Sequence, residues 1–328
     1  MNLSKKILLQ FSFLFGVALF FSACQKDDTM EPGEMGSIKF EITDAPIDDA
    51  EVEAVFVTVS EVRVDGEAIS DFEGRQTIDL MAYQNGNTKA LGIAELEAGT
   101  YSNVTLVLDY EEDENGNSPG CYVRDMQQKK HPIRSKDDSG TKGEFQLVSS
   151  TFVVEPNTQT DIVLDFDVRK AIRYEENPQP DDRYEMASKS ETEAAIRLVA
   201  KAEAGTFTGN CSDLLGYGGD RIVVYAYAKG TFDDDKETTE QGDSDIMFRQ
   251  AVSSAVVANN GDFQISFLEA GDYELHFAGY EDSNSDGEVE FKGMLQVDLL
   301  LGLLDLLDLD LNAAATIEAN VSVVGIIP

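Results

Sequence analysis

The sequence predicts an all-β protein built from two β-sandwich domains. Apolar and polar residues alternate with a period of two in many short segments, such as 38–42, 55–60 and 104–110. Alternation of this kind gives a β-strand one apolar face. Turn sequences such as Asp65-Gly66 and Asn115-Gly116 separate the segments. Many short strands with such turns between them favour two packed sheets over a helical fold.

The first 23 residues have the pattern of a cleaved secretory signal peptide. Lys5 and Lys6 precede an apolar segment at 7–21, which ends in the small residues Ser22 and Ala23. That segment is shorter than the roughly 20 apolar residues that a membrane-spanning helix needs. We therefore expect cleavage rather than retention of the segment in a bilayer.

The residue after the expected cleavage site is Cys24, and Phe21-Ser22-Ala23-Cys24 resembles the lipobox of bacterial lipoproteins. The resemblance implies that Cys24 carries acyl chains, each of which contributes about 0.8 kcal/mol of bilayer affinity per buried methylene. The alternative is an ordinary signal peptide with an incidental cysteine. Residues 25–28, Gln-Lys-Asp-Asp, resemble an export signal of Gram-negative lipoproteins. This implies the outer membrane, with display on the cell exterior preferred to the periplasmic face.

Residues 24–36 are predicted to be a lipidated cysteine followed by a flexible tether, because the segment combines low hydrophobicity with proline and glycine. The whole chain carries 62 acidic and 25 basic residues, a formal net charge of −37. This charge excludes a nucleic-acid footprint and disfavours adsorption to anionic lipid. It favours association with divalent cations.

We place the first domain at residues 37–203. Its strand patterns include 161–168, where Ile162 and Leu164 point to one face while Asp165 and Asp167 point to the other. The chain becomes polar at 169–190 and then resumes an apolar run before the proposed boundary.

The second domain spans residues 204–328, with strand patterns at 222–228, 263–267 and 317–324. Tyr225 and Tyr227 share one strand face, and the sequence leaves open whether that face packs in a core or meets solvent. Within the leucine-rich segment 299–312 we predict a short buried helix, because Asp305 and Asp308 share one helical face, although Asp310 falls off that face and Gly302 weakens the helix.

Two stretches resemble known families. Residues 36–64, with Thr43-Asp44-Ala45-Pro46, and later strands up to about residue 200 resemble the bacterial lipoprotein family named domain of unknown function 4382. That resemblance implies an extracytoplasmic lipoprotein with no established activity. Residues 259–291 resemble the transthyretin-like, carboxypeptidase-regulatory module. This second resemblance implies an Ig-like or transthyretin-like β-sandwich without catalysis.

Apart from Cys24, the chain has two cysteines, Cys121 and Cys211. In an oxidising compartment they are a candidate disulfide pair. Two unpaired thiols are the alternative, because spacing in sequence does not show that the two α-carbons approach each other.

Calcium is the metal that the sequence suggests. Asp282, Asn284 and Asp286 place oxygen atoms at alternate positions before a glycine, as in EF-hand-type loops. Gly293 stands where such loops have a bidentate glutamate, so Glu288 or Glu290 would have to substitute. A second loop shows a similar alternation at three positions, Asp113, Asn115 and Asn117. A solvated hairpin turn is the alternative for both loops, since turns need the same residue types.

The sequence carries no motif for catalysis. It lacks a Gly-x-Ser-x-Gly elbow, a His-Glu-x-x-His pair and a phosphate-binding loop. His276 is predicted to face solvent because its neighbours Leu275 and Phe277 point inward. His131 is predicted to pair with nearby acids.

The function that we predict is that of a surface-anchored, non-catalytic binding or adhesion lipoprotein. Its partners would be the bilayer, through Cys24, and a surface ligand that is a protein or a glycan. A pilin-like structural subunit and a glycan-capture accessory protein are the alternatives.

Overall fold

The computed structural model describes residues 33–45, 52–69, 71–72, 74–136, 140–147, 151–174, 184–284, 289–300 and 305–327. Cys24 and the predicted signal peptide lie outside these residues. The described chain is all-β, as predicted, with sheets packed in sandwich-like layers and only short helices. Strands up to Ala200 pair among themselves, and strands from Gly205 onward pair among themselves. We call these two groups the first and the second sandwich.

The first sandwich contains fifteen described strands and two short α-helices. They are β1 (Met35–Ala45), β2 (Val52–Val64), β3 (Glu67–Ala68), β4 (Gln76–Asp79), β5 (Lys89–Glu97), β6 (Gly99–Tyr101), β7 (Val104–Asp109), β8 (Tyr122–Asp125), β9 (Lys130–Ser135), β10 (Lys142–Leu147), β11 (Phe152–Val154), β12 (Gln159–Asp167), α1 (Val168–Ala171), β13 (Ile172–Tyr174), β14 (Tyr184–Met186), α2 (Lys189–Ala195) and β15 (Ile196–Ala200). Single 3-10 turns lie at Leu80–Ala82 and Lys201–Glu203.

Two main sheets enclose the core of the first sandwich. One has the order β15-β12-β1-β5 and the other has the order β10-β7-β2-β8-β9-β14-β13. β1 runs parallel to β12, so that Phe40 lies opposite Ile162. The alternation predicted from sequence is confirmed here, because Ile38, Phe40 and Ile42 are all fully buried in this core.

The second sandwich contains nine described strands and one short helix. They are β16 (Gly205–Ser212), β17 (Arg221–Ala228), α3 (Asp234–Glu237), β18 (Ser253–Val256), β19 (Asp262–Leu268), β20 (Gly271–Glu281), β21 (Glu290–Leu299), β22 (Leu309–Leu311), β23 (Thr316–Glu318) and β24 (Val321–Ile327). The main strand order is β18-β17-β20-β21-β24-β16-β19.

Both faces of the central strands of the second sandwich are packed. Phe207, Leu275 and Phe277 belong to one hydrophobic cluster, while Tyr225 and Tyr227 belong to another on the opposite face. Both tyrosines are fully buried, so this tyrosine face packs in a core.

The short helix expected at 299–312 is not what the described residues show. Leu299 ends β21, residues 305–308 form a turn, and β22 follows. Leu311 pairs with Gly271 across an antiparallel ladder, and Leu309 and Leu311 are buried. The apolar leucines of this part therefore fill the core from a strand. No helix within the described residues is long and apolar enough to span a membrane.

Candidate functional site

The outer face of β12 marks the place where the two sandwiches meet. Val163, Asp165 and Asp167 point away from the first core, yet all three are buried. Phe267 of the second sandwich packs against Val163 and Val199 in a small apolar cluster of its own. The polar face that the sequence predicts for β12 is therefore covered by the second sandwich.

Opposite charges neutralise one another on this covered face. Arg197 forms an ion pair with Asp165. Arg169 donates through Nη2 to Asp167 Oδ2 at 3.0 Å, and Lys170 Nζ lies 3.2 Å from the same oxygen. Burial raises the pKa of Asp167, but the adjacent Arg169 and Lys170 more than reverse this, so the pKa lies below its ordinary value.

The two basic side chains of helix α1 also contact the second sandwich. Arg169 Nη1 donates to the carbonyl oxygens of Met247 at 2.8 Å and Phe248 at 3.1 Å. Its guanidinium carbon lies 5.3 Å from the centre of the Tyr225 ring, within the range of a cation–π contact. Lys170 Nζ donates to the carbonyl oxygen of Ala251 at 2.5 Å.

Helix α2 makes a second polar contact through Glu191. The Glu191 carboxylate accepts hydrogen bonds from Ser188 Oγ at 2.8 Å, Ser244 Oγ at 2.5 Å and the Asp243 backbone N–H at 2.9 Å. Arg249 Nη2 lies 3.4 Å from it. One buried carboxylate thus ties α2 to the segment that precedes β18. We call α1, α2 and residues 243–251 the junction.

The residues of the family-like Thr-Asp-Ala-Pro signature lie at the edge of the junction. Thr43 Oγ1 lies 2.7 Å from the Tyr83 carbonyl oxygen and 2.8 Å from that of Asn87. Asp44 accepts from Gln84 Nε2 at 3.1 Å and from the Val168 backbone N–H at 3.3 Å. Burial raises the pKa of Asp44 well above its ordinary value. Thr43 therefore holds the end of β1 against residues 83–87, and Asp44 holds it against α1.

The residues of the junction were not among the candidates from sequence. Arg169 lies at the start of the polar stretch 169–190, and Glu191 directly follows it; from sequence we assign no site to this stretch. The signal in the sequence was the pair of aspartates on one face of β12. A buried strand with acids on its outer face needs cations from elsewhere, and Arg169 and Lys170 follow that strand directly.

The candidate disulfide is not formed, and the alternative of two unpaired thiols holds. Cys121 and Cys211 are both free and buried, and they lie in different cores, Cys121 in the first sandwich and Cys211 in the second. The two thiols do not pair because each is packed within the apolar cluster of its own sandwich. Burial raises the pKa of both thiols to about 12, so both stay protonated and unreactive at neutral pH.

Part of the first candidate calcium loop is described. Ser283 donates through N and Oγ to Glu290 Oε2, both at 3.0 Å, and Asn284 Nδ2 donates to Glu290 Oε1 at 3.0 Å. The Asp282 backbone N–H donates to Asp220 Oδ2 at 2.9 Å. Glu290 thus reaches back across the loop from the next strand, as the sequence requires of a substitute ligand. Two further candidates, Asp286 and Glu288, lie outside the described residues.

The second candidate loop has the hydrogen bonds of a turn. Asp113 Oδ1 accepts from the backbone N–H groups of Asn115 at 2.9 Å and Asn117 at 2.8 Å. Asn117 Nδ2 also points to the Asp113 carboxylate at 3.3 Å. The oxygens that a cation would use already stabilise the turn. Within the described part of the chain, no three His, Cys, Asp or Glu side chains gather in a group that could hold a metal ion.

The prediction for His131 is confirmed, and the prediction for His276 is wrong. His131 lies in β9 and contacts Asp125, with 2.7 Å between Nε2 and Oδ2, which confirms the predicted pairing with an acid. His276 does not face solvent as expected. Its ring stacks on Phe232 at 3.7 Å between centroids, and burial lowers its pKa. The outer face of β20 is therefore covered by the segment that follows β17.

A protein-family model described as "Domain of unknown function (DUF4382)" matches residues 35–187. No curated protein matches the chain. A leucine-rich repeat protein from Bacteroides thetaiotaomicron is 12% identical, with a TM-score of 0.22, and the match covers 89% of this chain and 26% of that one. The Bacillus anthracis TIE protein is 10% identical, with a TM-score of 0.19 and coverage of 88% and 34%.

A third solved structure, GBS52, the minor pilin of Streptococcus agalactiae, is 12% identical, with a TM-score of 0.21 and coverage of 88% and 96%. This chain thus spans about a quarter and a third of the first two proteins. TM-scores this low support no conclusion about a shared fold or activity.

Proposed function

We propose that residues 35–187 form the DUF4382 part of an outer-membrane lipoprotein that displays a rigid pair of β-sandwiches at the cell exterior, as a binding or adhesion module without catalysis. The acylated Cys24 anchors the mature chain, and the residues between Cys24 and β1 form the tether, which is shorter than the predicted 24–36 because Met35 and Gly36 belong to β1. Loops on the sandwiches then make contacts with a surface ligand, in the way that rigid scaffolds present binding loops.

The observation that carries this proposal is the junction. Paired, buried charges and backbone hydrogen bonds from α1 and α2 hold the second sandwich on the first. A rigid pair loses little conformational entropy when it binds a ligand, so a display protein gains affinity from it. The buried carboxylates of Asp167 and Glu191 both take part in these contacts.

Protease treatment of intact cells tests the proposal. Displayed protein should be digested while a periplasmic control protein stays intact, and Cys24→Ser protein should be absent from the cell surface. Full protection of the wild-type protein would contradict the proposal.

Protein from the same cells distinguishes the proposed module from its two alternatives, a pilin-like subunit and a glycan-capture protein. A pilin-like subunit would lose its N-terminal segment to proteolysis and would form ladders on gels that preserve the strand-addition contacts between successive copies. A glycan-capture protein would bind defined sugars on a glycan array. Monomeric, acylated protein without array binding supports the proposed module.

A further inference from the structure

The loop between β16 and β17 exposes two neighbouring leucines. Leu214 is 88% exposed and Leu215 is 72% exposed, more than any other large apolar side chain in the described chain. Single exposed apolar residues are ordinary on protein surfaces. Two adjacent leucines at one loop tip form a larger apolar surface, which we call the leucine tip (residues 213–218).

The base of the leucine tip is fixed by hydrogen bonds. The Asp213 carboxylate accepts from the backbone N–H groups of Tyr217 at 3.0 Å and Gly218 at 2.7 Å. Gly216 has a φ of +70°, which glycine adopts without strain. Tyr217 packs against the main core of the second sandwich.

Strand β20 holds the other side of the loop. The Tyr280 N–H donates to the Gly218 carbonyl oxygen at 3.0 Å, and the Asp220 N–H donates to the Tyr280 carbonyl oxygen at 2.8 Å. At Gly219 the backbones approach so closely that a Cβ would lie 2.5 Å from the Tyr280 oxygen. The leucines are thus presented by a rigid loop.

The leucine tip follows the end of β16 that is farther from the apolar contact with the first sandwich. It follows Ser212 at the end of β16, whereas Gly205 at the start of β16 adjoins Ala204 and the apolar contact with the first sandwich. Eight strand residues span roughly 25 Å. The tip is therefore separated along β16 from the apolar contact with the first sandwich.

Exposure of these leucines has an energetic consequence. Burial of a leucine side chain is favourable because it removes apolar surface from water, and this loop leaves that gain unused in the isolated chain. Because the loop is already ordered, a partner that covers both leucines gains this energy with little loss of conformational entropy.

We propose that the leucine tip docks into a partner protein that has an apolar pocket edged by basic residues. Asp213, Asp220 and Asp282 border the tip, and the chain as a whole carries a net charge of −37. This charge attracts a basic rim and repels both an anionic bilayer and a second copy of the chain. The inference rests on the proposed function, because display brings the tip to such a partner.

Photo-crosslinking on intact cells that display the full chain tests the proposal. Leu214→p-benzoylphenylalanine keeps Leu215 in place, and mass spectrometry of the irradiated product maps the crosslinked residues. We expect one predominant partner protein, crosslinked at apolar residues with lysine or arginine beside them. Adding Leu215→Ser should reduce the crosslink at least tenfold without changing the melting temperature.

The matched control places the same photo-crosslinker at Leu307, a leucine in the turn before β22 that is 53% exposed. It should not crosslink this partner. Crosslinks to lipid, to copies of the chain or to many unrelated proteins would overturn the proposal, and so would no crosslink at all. Soluble Cys24→Ser protein added to the same cells separates the two proposals. If it still crosslinks while the wild-type chain is protected from protease, the display proposal fails alone.

Discussion

At the scale of single residues, Arg169 is the main link between the sandwiches. Its guanidinium group contacts Asp167 of its own sandwich and two carbonyl oxygens and one aromatic ring of the other. An arginine suits this position because its planar fork donates in several directions and stacks on aromatic rings. The contact is buried, so its loss leaves polar groups without partners.

Arg169→Ala should lower the free energy of unfolding by about 3 kcal/mol, since removing one partner of a buried ion pair leaves an uncompensated charge. Denaturant unfolding followed by circular dichroism measures this. Lys236→Ala is the matched control, because the Lys236 pair with Asp233 is largely exposed and should contribute nothing measurable. Equal unfolding midpoints for both variants would show that Arg169 does not hold the junction.

Asp44 gives a prediction about pH. Burial holds its pKa well above the ordinary value, with Asp165 and Asp167 as acidic neighbours. The folded state then binds a proton that the unfolded chain has released, so the stability contribution falls as pH rises above about 4 towards the folded pKa. Asp44→Asn should remove this fall. The free energy of unfolding of the variant should therefore rise relative to that of the wild type by up to about 1.4 kcal/mol per pH unit.

Unfolding titrations between pH 2 and pH 9 measure the difference. Asp113→Asn is a control of opposite sign, because hydrogen bonds from Asn117 and Asn115 lower the pKa of Asp113. That carboxylate stabilises the fold above its unfolded pKa, and this contribution is lost as pH falls. A pH-independent difference for Asp44→Asn would mean that Asp44 is ionised in the fold.

At the scale of elements, calcium binding by loop 282–290 stays a prediction. Glu290 already turns into the loop and bonds Ser283 and Asn284, which places one carboxylate where a ligand is needed. If calcium binds, a concentration one hundred times Kd stabilises the fold by about 2.7 kcal/mol. Calorimetry in millimolar calcium and in chelator should then show a higher melting temperature with calcium. Identical melting curves, or the same shift in Glu290→Gln, would count against this loop.

The alternation of apolar residues predicted individual strands well. β1 and β12 have their apolar residues in the core as expected, because a period of two depends only on strand geometry. What covers the other face of a strand depends on the rest of the chain, and the acids of β12 are buried under the second sandwich. The helix predicted in the leucine-rich segment was wrong for a related reason, since pairing of β22 with β20 outweighed local helical spacing.

At the scale of the whole molecule, we expect the contacts of the junction to make the two sandwiches unfold as one cooperative unit. We predict a single calorimetric unfolding transition for the wild type, with equal calorimetric and van't Hoff enthalpies. Glu191→Ala should split it into two transitions, because that carboxylate binds Ser244, Asp243 and Arg249 across the junction. Lys189→Ala, a largely exposed change on the same helix, should keep one transition. Two transitions in the wild type would contradict a rigid pair.

Long-range pairing was the part of the structure that sequence could not supply. The candidate disulfide depended on the distance between Cys121 and Cys211, and each proved to belong to a separate core. The junction likewise depends on residues far apart in sequence, such as Arg169 and Phe248. By contrast, the predicted lipidation depends only on the local pattern at residues 21–24, and it stays a prediction.

The most direct measurement for the central claim is the intact mass of the mature protein from native membranes, with fragmentation of its N-terminal peptide. The account predicts a chain that begins at Cys24 and carries acyl chains on that residue, while Cys24→Ser protein leaves the membrane fraction. A mature terminus without lipid, or Cys24→Ser protein that stays with the membrane, would contradict it.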